Sequence, residues 1–308
     1  MDRFEELERL LALRCPTLEL RRDEPMSRHT SFHVGGPVRL MALPKTAGEA
    51  KAALLSAKEL DLDPFFLGNG TNLLVPDRGA ERFLIKPAGK YSVGSLNRVW
   101  EANGLLCAGA AVSLANLAGC ALGRSLTGLE FAQGIPGSVG GGVTMNAGAY
   151  GGELAQVLDS VTALDKAGQE RMFPADQCVL GYRRSIFSGG DYLILAARFR
   201  LEPGDPAAIE TRMKELAAKR QEKQPLEYPS AGSTFKRPKG YFAAALIDQC
   251  GLKGLTVGGA QVSEKHAGFV INKGGATCSD ILTLVEQIRE RVKSSTGVEL
   301  ELEVKILR

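Results

Sequence analysis

The chain has 308 residues, more than one small core needs, so two or three domains are expected. Hydrophobic residues make up 44% and charged residues 24%, an ordinary globular balance. A net charge of +3 is too small to point to nucleic acid or a lipid surface as partner. No apolar run is long enough for a membrane span, and the start MDRFEELERLLALRC is an acidic amphipathic helix pattern rather than a signal peptide. Membrane insertion is therefore not expected, and the expected location is the cytoplasm.

In chain order, SFHVGGPVRLMALP reads as two strands around a Gly-Gly turn. Thr46 and Glu49, in capping-box spacing, predict a helix over TAGEAKAALLSAKEL. PFFLGNGTNLLV reads as a strand entering a glycine turn and leaving it. From about Val99 to Leu201 the patterns are mainly strands around one helix starting near Ser113, with VLDSVTALD, QERMFP and DYLILAARFRL as the later strands. Asp205 and Pro206 suit the cap and first residue of the helix AAIETRMKELAAKRQEKQ. Two more helices are expected, YFAAALIDQC ending at Gly251 and SDILTLVEQIRERVKSS ending near Gly297, with the strand GFVIN between them. The terminal VELELEVKIL alternates, with Val298, Leu300, Leu302, Val304 and Ile306 on one face and Glu299, Glu301, Glu303 and Lys305 on the other. That pattern predicts a half-buried strand. The expected class is α+β rather than doubly wound α/β.

Several chemistries are excluded. Three histidines, with His29 and His33 flanking TSF, make no metal site. No G-x-S-x-G elbow and no GxxxxGK[ST] loop occurs. GNGTNL begins like a dinucleotide fingerprint but carries Leu73 where a Rossmann loop needs a small residue. Six cysteines (Cys15, Cys107, Cys120, Cys178, Cys250, Cys278), with no CxxC pair, read as buried thiols of a reducing compartment.

What remains is glycine. Residues 68–72 read GNGTN, and 134–152 hold eight glycines in nineteen residues. Main-chain amides can converge on an anion only where no Cβ blocks the approach and positive φ is allowed. Two such loops suit a diphosphate held from two sides, and tight turns between strands are the alternative.

GNGTNLLV (68–75), GIPGSVGGGVTMNAGAYGGE (134–153), GYRRSIF (181–187), SAGSTFK (230–236) and the terminal ELEVKIL (301–307) occur in that order. Together they resemble the UDP-N-acetylenolpyruvoylglucosamine reductase (MurB) family, from HTSFHVGG to the last residues. The glycine loops alone are shared more loosely by FAD-linked oxidases of the PCMH/vanillyl-alcohol-oxidase type, and the later motifs narrow the likeness. No tyrosine-bearing insertion follows GYRRSIF, so the chain resembles the shorter subtype.

The resemblance implies two FAD-binding subdomains, 1–90 and 91–204, and a substrate domain, 205–308. It implies FAD held by Gly68, Asn69, Gly70, Thr71, Asn72, Gly134, Ile135, Pro136, Gly137, Ser138, Gly140, Gly141, Asn146, Ala147, Gly148 and Tyr150. The cofactor is expected to be non-covalent, since no GGH pattern is present. It implies reduction of UDP-N-acetylglucosamine enolpyruvate with NADPH as electron donor.

Adding a hydride to the enolpyruvyl double bond builds negative charge beside the carboxylate, which calls for a fixed cation or donor. The residues alone leave Arg183 and Arg184 open, and the family motif selects Arg183. Likewise Ser233 matches the family's proton donor, although a serine after Ala-Gly is by itself usually a turn residue. Glu303 matches its catalytic glutamate, where periodicity leaves Glu299 and Glu301 equally good. Repulsion from the substrate carboxylate is expected to keep Glu303 protonated. Tyr182 and Lys236 are the candidate substrate-binding residues, Lys236 from a basic cluster with Lys219, Arg220, Lys223, Arg237 and Lys239.

Overall fold

The chain passes back and forth between two units, each built from three segments. The first comprises Met1–Arg22, Arg39–Asn69 and Arg82–Ala218, and the second Asp23–Val38, Gly70–Glu81 and Lys219–Arg308. The computed structural model describes residues 2–90 and 92–307.

Local caps set the helices of the first unit. Helix α1 (Arg3–Arg14) starts in a closed capping box between Asp2 and Glu5. Helix α2 (Ala47–Glu59) starts at Thr46, whose hydroxyl accepts the Glu49 N–H. Only half of that predicted box closes, because the Glu49 carboxylate instead takes the Lys45 N–H (2.6 Å) and the Thr17 hydroxyl (2.9 Å). Helix α3 (Leu114–Leu122) is capped by Ser113. Helix α4 (Val139–Thr144) is not expected from the sequence, since three glycines give it poor propensity. It forms because Ser138 caps it, while the amides of Val139 and Gly140 are held by the carbonyls of Val112 and Ala110 at 2.7 and 3.0 Å. Helix α5 (Pro206–Lys223) starts as expected, with Asp205 accepting from Ala207 and Ala208.

The expected strands of the middle third assemble into a five-stranded antiparallel sheet. Its order is Glu170–Pro174, Leu158–Asp165, Tyr192–Phe199, Leu105–Gly109, Val99–Ala102. One face packs with α3 and α4 through Val161, Phe199, Leu117, Phe131 and Val143, all buried. A second cluster joins Leu7 and Leu11 of α1 with Leu54 of α2, Phe83 and Ile85. Each such side chain contributes about 1.5–3 kcal/mol by leaving water.

The second unit holds helices α6 (Ala243–Gln249) and α7 (Cys278–Thr296) and a small antiparallel sheet of Thr256–Val257, Ala260–Val262 and Val270–Asn272. Thr277 and Asp280 close a capping box on α7, which ends at Gly297 with φ 73°. The Asp77 carboxylate adds two acceptors there, for the N–H groups of Cys278 (2.7 Å) and Ser279 (3.0 Å), and favours the positive end of the helix dipole.

Two strand expectations need correction. Residues 31–36 form a loop, not a strand. Phe32 is fully buried, the Thr30 hydroxyl donates to the Val34 carbonyl (2.8 Å), and His33 turns the chain at φ 55°. The terminal segment keeps its alternation of burial but forms no continuous strand. Leu302 bridges Phe235, and only Lys305–Ile306 pairs, in parallel, with Leu73–Leu74.

Candidate active site

In the first unit the two glycine stretches meet. A Cβ on Gly68 would lie 2.7 Å from Ser138 Oγ and 3.4 Å from Gly141 Cα, so this approach requires glycine. The Asn69 side-chain amide donates to the Pro136 carbonyl at 3.0 Å and ties the loops together. Among the described residues, the main-chain N–H groups of Gly68, Asn69, Gly137 and Ser138 meet no protein acceptor. Gln133 Oε1, just before Gly134, is buried without a hydrogen-bond partner in the protein. The sequence gives no sign of it, because a lone glutamine beside a glycine loop carries no pattern.

The GYRRSIF segment is moored to the same loop. The hydroxyls of Ser185 and Ser188 both donate to the Thr144 carbonyl at the end of α4, at 2.8 and 2.9 Å. Phe187 anchors the segment in the core, edge-on to Phe173 and Tyr192. Asn146, buried and at φ 43°, donates to the Gly181 carbonyl (3.3 Å) and accepts from the Ala155 N–H (2.9 Å). Arg183 is half-buried at φ 56°. Its guanidinium lies 3.5 Å from the Gly148 carbonyl and 5.1 Å from the centre of the exposed Tyr182 ring. Arg184 is exposed and folds back over Gly181.

In the second unit three segments far apart in sequence run side by side. Glu303 donates its N–H to the Thr234 carbonyl at 2.8 Å, and the Glu303 carbonyl accepts from Asn72 Nδ2 at 3.1 Å. Lys305 N–H donates to the Asn72 carbonyl at 3.1 Å. Ser233 is exposed, between Gly232 at φ 73° and the buried Thr234. Of the three glutamates that periodicity cannot separate, Glu299 pairs with Lys293 and Glu301 with Lys236. Glu303 is the half-buried one of the three. Lys236 is thus already ion-paired. Desolvation of the Lys305 ammonium, and then the charge of Lys236, lower the pKa of Lys305.

Gly70 belongs to this unit. Its carbonyl accepts the Ser31 N–H at 3.2 Å, and a Cβ there would lie 1.9 Å from the His29 carbonyl oxygen. The amides of Gly70, Thr71 and Asn72, too, meet no protein acceptor among the described residues.

Residues 38–172 match the family described as FAD binding domain, and residues 224–307 match the UDP-N-acetylenolpyruvoylglucosamine reductase C-terminal domain. A UDP-N-acetylenolpyruvoylglucosamine reductase of Agathobacter rectalis is 49% identical over 300 residues, which is 95% of each chain. One of Clostridium botulinum strain 657 is 48% identical over 287 residues, 92% of this chain and 91% of that one. This chain belongs to the UDP-N-acetylenolpyruvoylglucosamine reductase family. The crystal structure of the family member from Thermus caldophilus superposes with a TM-score of 0.80 at 33% identity, covering 94% of this chain and 100% of that one.

FAD is the cofactor of this family member, and the residues present suit it. Unpartnered amides on glycine-rich backbone offer a diphosphate its donors without a side chain in the way. The fold is accordingly α+β, an FAD-binding fold of the PCMH type followed by the family's own C-terminal domain. No group of three or more metal-ligating side chains occurs among the described residues. No helix among them is long and apolar enough to cross a membrane.

Proposed function

We propose that the chain reduces UDP-N-acetylglucosamine enolpyruvate to UDP-N-acetylmuramate, a step of peptidoglycan precursor synthesis, with NADPH as electron donor and non-covalent FAD as carrier. What carries the reading is identity of 48–49% to reductases of that name over more than nine-tenths of the chain. The supply of wall precursor makes cell shape and division depend on it, and the cytoplasm is the compartment proposed. Residues 1–90 and 91–204 are proposed to grip FAD and 205–308 to bind substrate.

Bound FAD supplies two-electron carriage, from NADPH to the terminal carbon of the enolpyruvyl double bond. The loops 68–72 and 134–150 hold its diphosphate by main-chain amides, with Gly134, Ile135, Pro136, Gly140, Gly141, Ala147, Gly148 and Tyr150 shaping the wall. As charge builds on the adjacent carbon it spreads into the carboxylate, which the planar Arg183 guanidinium can meet with two parallel hydrogen bonds. Its left-handed backbone and its place over the Tyr182 ring fix the direction in which that fork is offered. Ser233 gives its hydroxyl proton to that carbon and regains one from solvent, to which it is open. Glu303 is the third catalytic residue, set toward the substrate carboxylate. Lys236 offers positive charge to the diphosphate of the substrate, and Tyr182 a polar aromatic wall.

The test follows visible absorbance of the purified protein, reduced by NADPH without oxygen, as UDP-N-acetylglucosamine enolpyruvate is added. Prompt return of the oxidised-flavin spectrum is expected. A flavin that stays bleached would overturn the assigned substrate. Ser233→Ala should be reduced normally and reoxidise slowly.

A further inference from the structure

We infer that Thr234 is a positioning residue for the proton-donating half of the site, holding Ser233 and Glu303 in register with each other. This rests on the roles given to those two residues above. Thr234 is only 1% exposed, and three of its polar groups are engaged within the second unit. Its N–H donates to the Gly268 carbonyl at 2.9 Å, its hydroxyl oxygen accepts the Val270 N–H at 3.0 Å, and its carbonyl accepts the Glu303 N–H at 2.8 Å.

The partner on one side is a rigid turn. Ser263 Oγ, itself buried, accepts the N–H groups of Lys265 and His266, both at 3.2 Å. His266 Nδ1 accepts the Gly268 N–H at 3.2 Å, and the Phe269 N–H returns to the His266 carbonyl at 3.0 Å. Gly268 therefore presents its carbonyl to Thr234 from a fixed place. On the other side, Glu303 comes from a segment that has little regular structure of its own and takes its register from what it touches. Thr234 is the residue both sides share.

The side chain matters because the buried Val270 N–H has the Thr234 hydroxyl as its acceptor. Valine has nearly the same shape and lacks that oxygen, so Thr234→Val leaves the N–H without a partner in a place water does not reach. Relief comes by movement of the Thr234 main chain, which carries Ser233 with it. A serine hydroxyl is a weak acid and works only when already aimed. Displacement of catalytic groups by about 1 Å can cost a factor of about 100.

Thr234→Val should bind FAD and be reduced by NADPH at the wild-type rate. Its reoxidation by UDP-N-acetylglucosamine enolpyruvate should slow by about tenfold or more, with the half-saturating concentration nearly unchanged. In the oxidised protein, amide hydrogen exchange at Val270 should rise. Thr234→Ser keeps the oxygen and should restore both. On a Ser233→Ala background the valine substitution should lose most of its effect, because the group it aims is gone.

Wild-type reoxidation in a Thr234→Val protein whose Val270 exchange has risen would overturn the inference. So would equal slowing of both half-reactions, or a full penalty on the Ser233→Ala background. If the valine variant does not fold, the serine variant decides. Reoxidation close to wild type supports the role, and a loss of about tenfold despite the retained hydroxyl rejects it. Wild-type protein that stays reduced would overturn the assigned reaction and this inference with it, a result distinct from wild-type turnover that Thr234→Val leaves untouched.

Discussion

Asn146 holds the carbonyl of Gly181 with its side-chain amide at 3.3 Å, across 35 residues of sequence. Its other end accepts the Ala155 N–H, so one buried side chain fixes the turn that carries Tyr182 and Arg183. Replacing it with alanine leaves the half-buried Ala155 N–H unmet and the Gly181 carbonyl with only the Arg184 N–H, at 3.2 Å, and puts a Cβ-bearing residue with no local hydrogen bond at φ 43°. Asn146→Ala should lose about 1–3 kcal/mol of stability by urea unfolding. In the folded fraction, reoxidation by substrate should suffer more than reduction by NADPH. Equal stability of variant and wild type would contradict this role.

Gly68 tests the diphosphate cradle without any change of charge. Its φ is ordinary, so Gly68→Ala acts through space alone, driving a methyl against Ser138 Oγ at 2.7 Å. The loops must part, and the amides of Gly68 and Asn69 turn away from a common point. FAD retention through dialysis should fall by about tenfold or more, while the melting temperature of FAD-free protein changes little. Unchanged FAD affinity would remove this loop from the cofactor site.

Gly119 is the opposite case. It lies exposed in the middle of α3, and a methyl group added to its Cα would meet nothing within 4 Å. Alanine there finds no obstacle and lowers the entropy of the unfolded chain, so Gly119→Ala should stabilise the protein by about 0.5–1 kcal/mol in urea. Any destabilisation would mean that α3 is packed against a neighbour at Gly119.

Local chemistry is legible in the sequence and long-range register is not. Thr46, Ser113, Asp205 and Gly297 each mark a helix end by their own side chain or backbone, and each stands where the pattern puts it. Helix α4 escapes such reading because its support comes from Val112 and Ala110, about thirty residues away, against the propensity of its own glycines. The alternation over 298–306 does reveal burial. It cannot reveal that the segment's partners are Thr234, Asn72 and Leu74 in turn, so that no single ladder forms. The choice among Glu299, Glu301 and Glu303 stays open in the sequence for the same reason, since the lysines that pair the first two are brought there by folding.

The cysteines divide by environment. All six are free thiols, with Cys107, Cys178 and Cys278 buried and Cys15, Cys120 and Cys250 half-buried. Burial pushes the thiols of Cys178 and Cys278 up to about 11, with Asp176 and Asp77 adding to it. Burial also raises Cys107. At pH 8 only about a thousandth of a thiol with so high a pKa is thiolate, and the thiolate is the nucleophile. Iodoacetamide should therefore spare these three in native protein and reach all six in urea. Early labelling of Cys178 or Cys278, mapped by mass spectrometry, would show that their surroundings open.

His266 gives the fold a pH dependence of definite sign. Desolvation lowers its pKa below the ordinary value of 6.5; a hydrogen bond to its own backbone opposes this, and the charge of Lys253 adds to the lowering. The geometry agrees, because Nδ1 must be unprotonated to accept the Gly268 N–H. Between the folded and the unfolded pKa, the unfolded chain holds more protons at this site, so the contribution to stability rises with pH. It is fully present above about pH 6.5, declines as pH falls through that value, and levels off below the folded pKa. Urea midpoints measured from pH 7.5 down to 5 should fall in wild type. His266→Asn keeps an acceptor for Gly268 and does not titrate, so its midpoint should fall less over the same range. Parallel curves for the two proteins would mean that the imidazole is as easily protonated folded as unfolded.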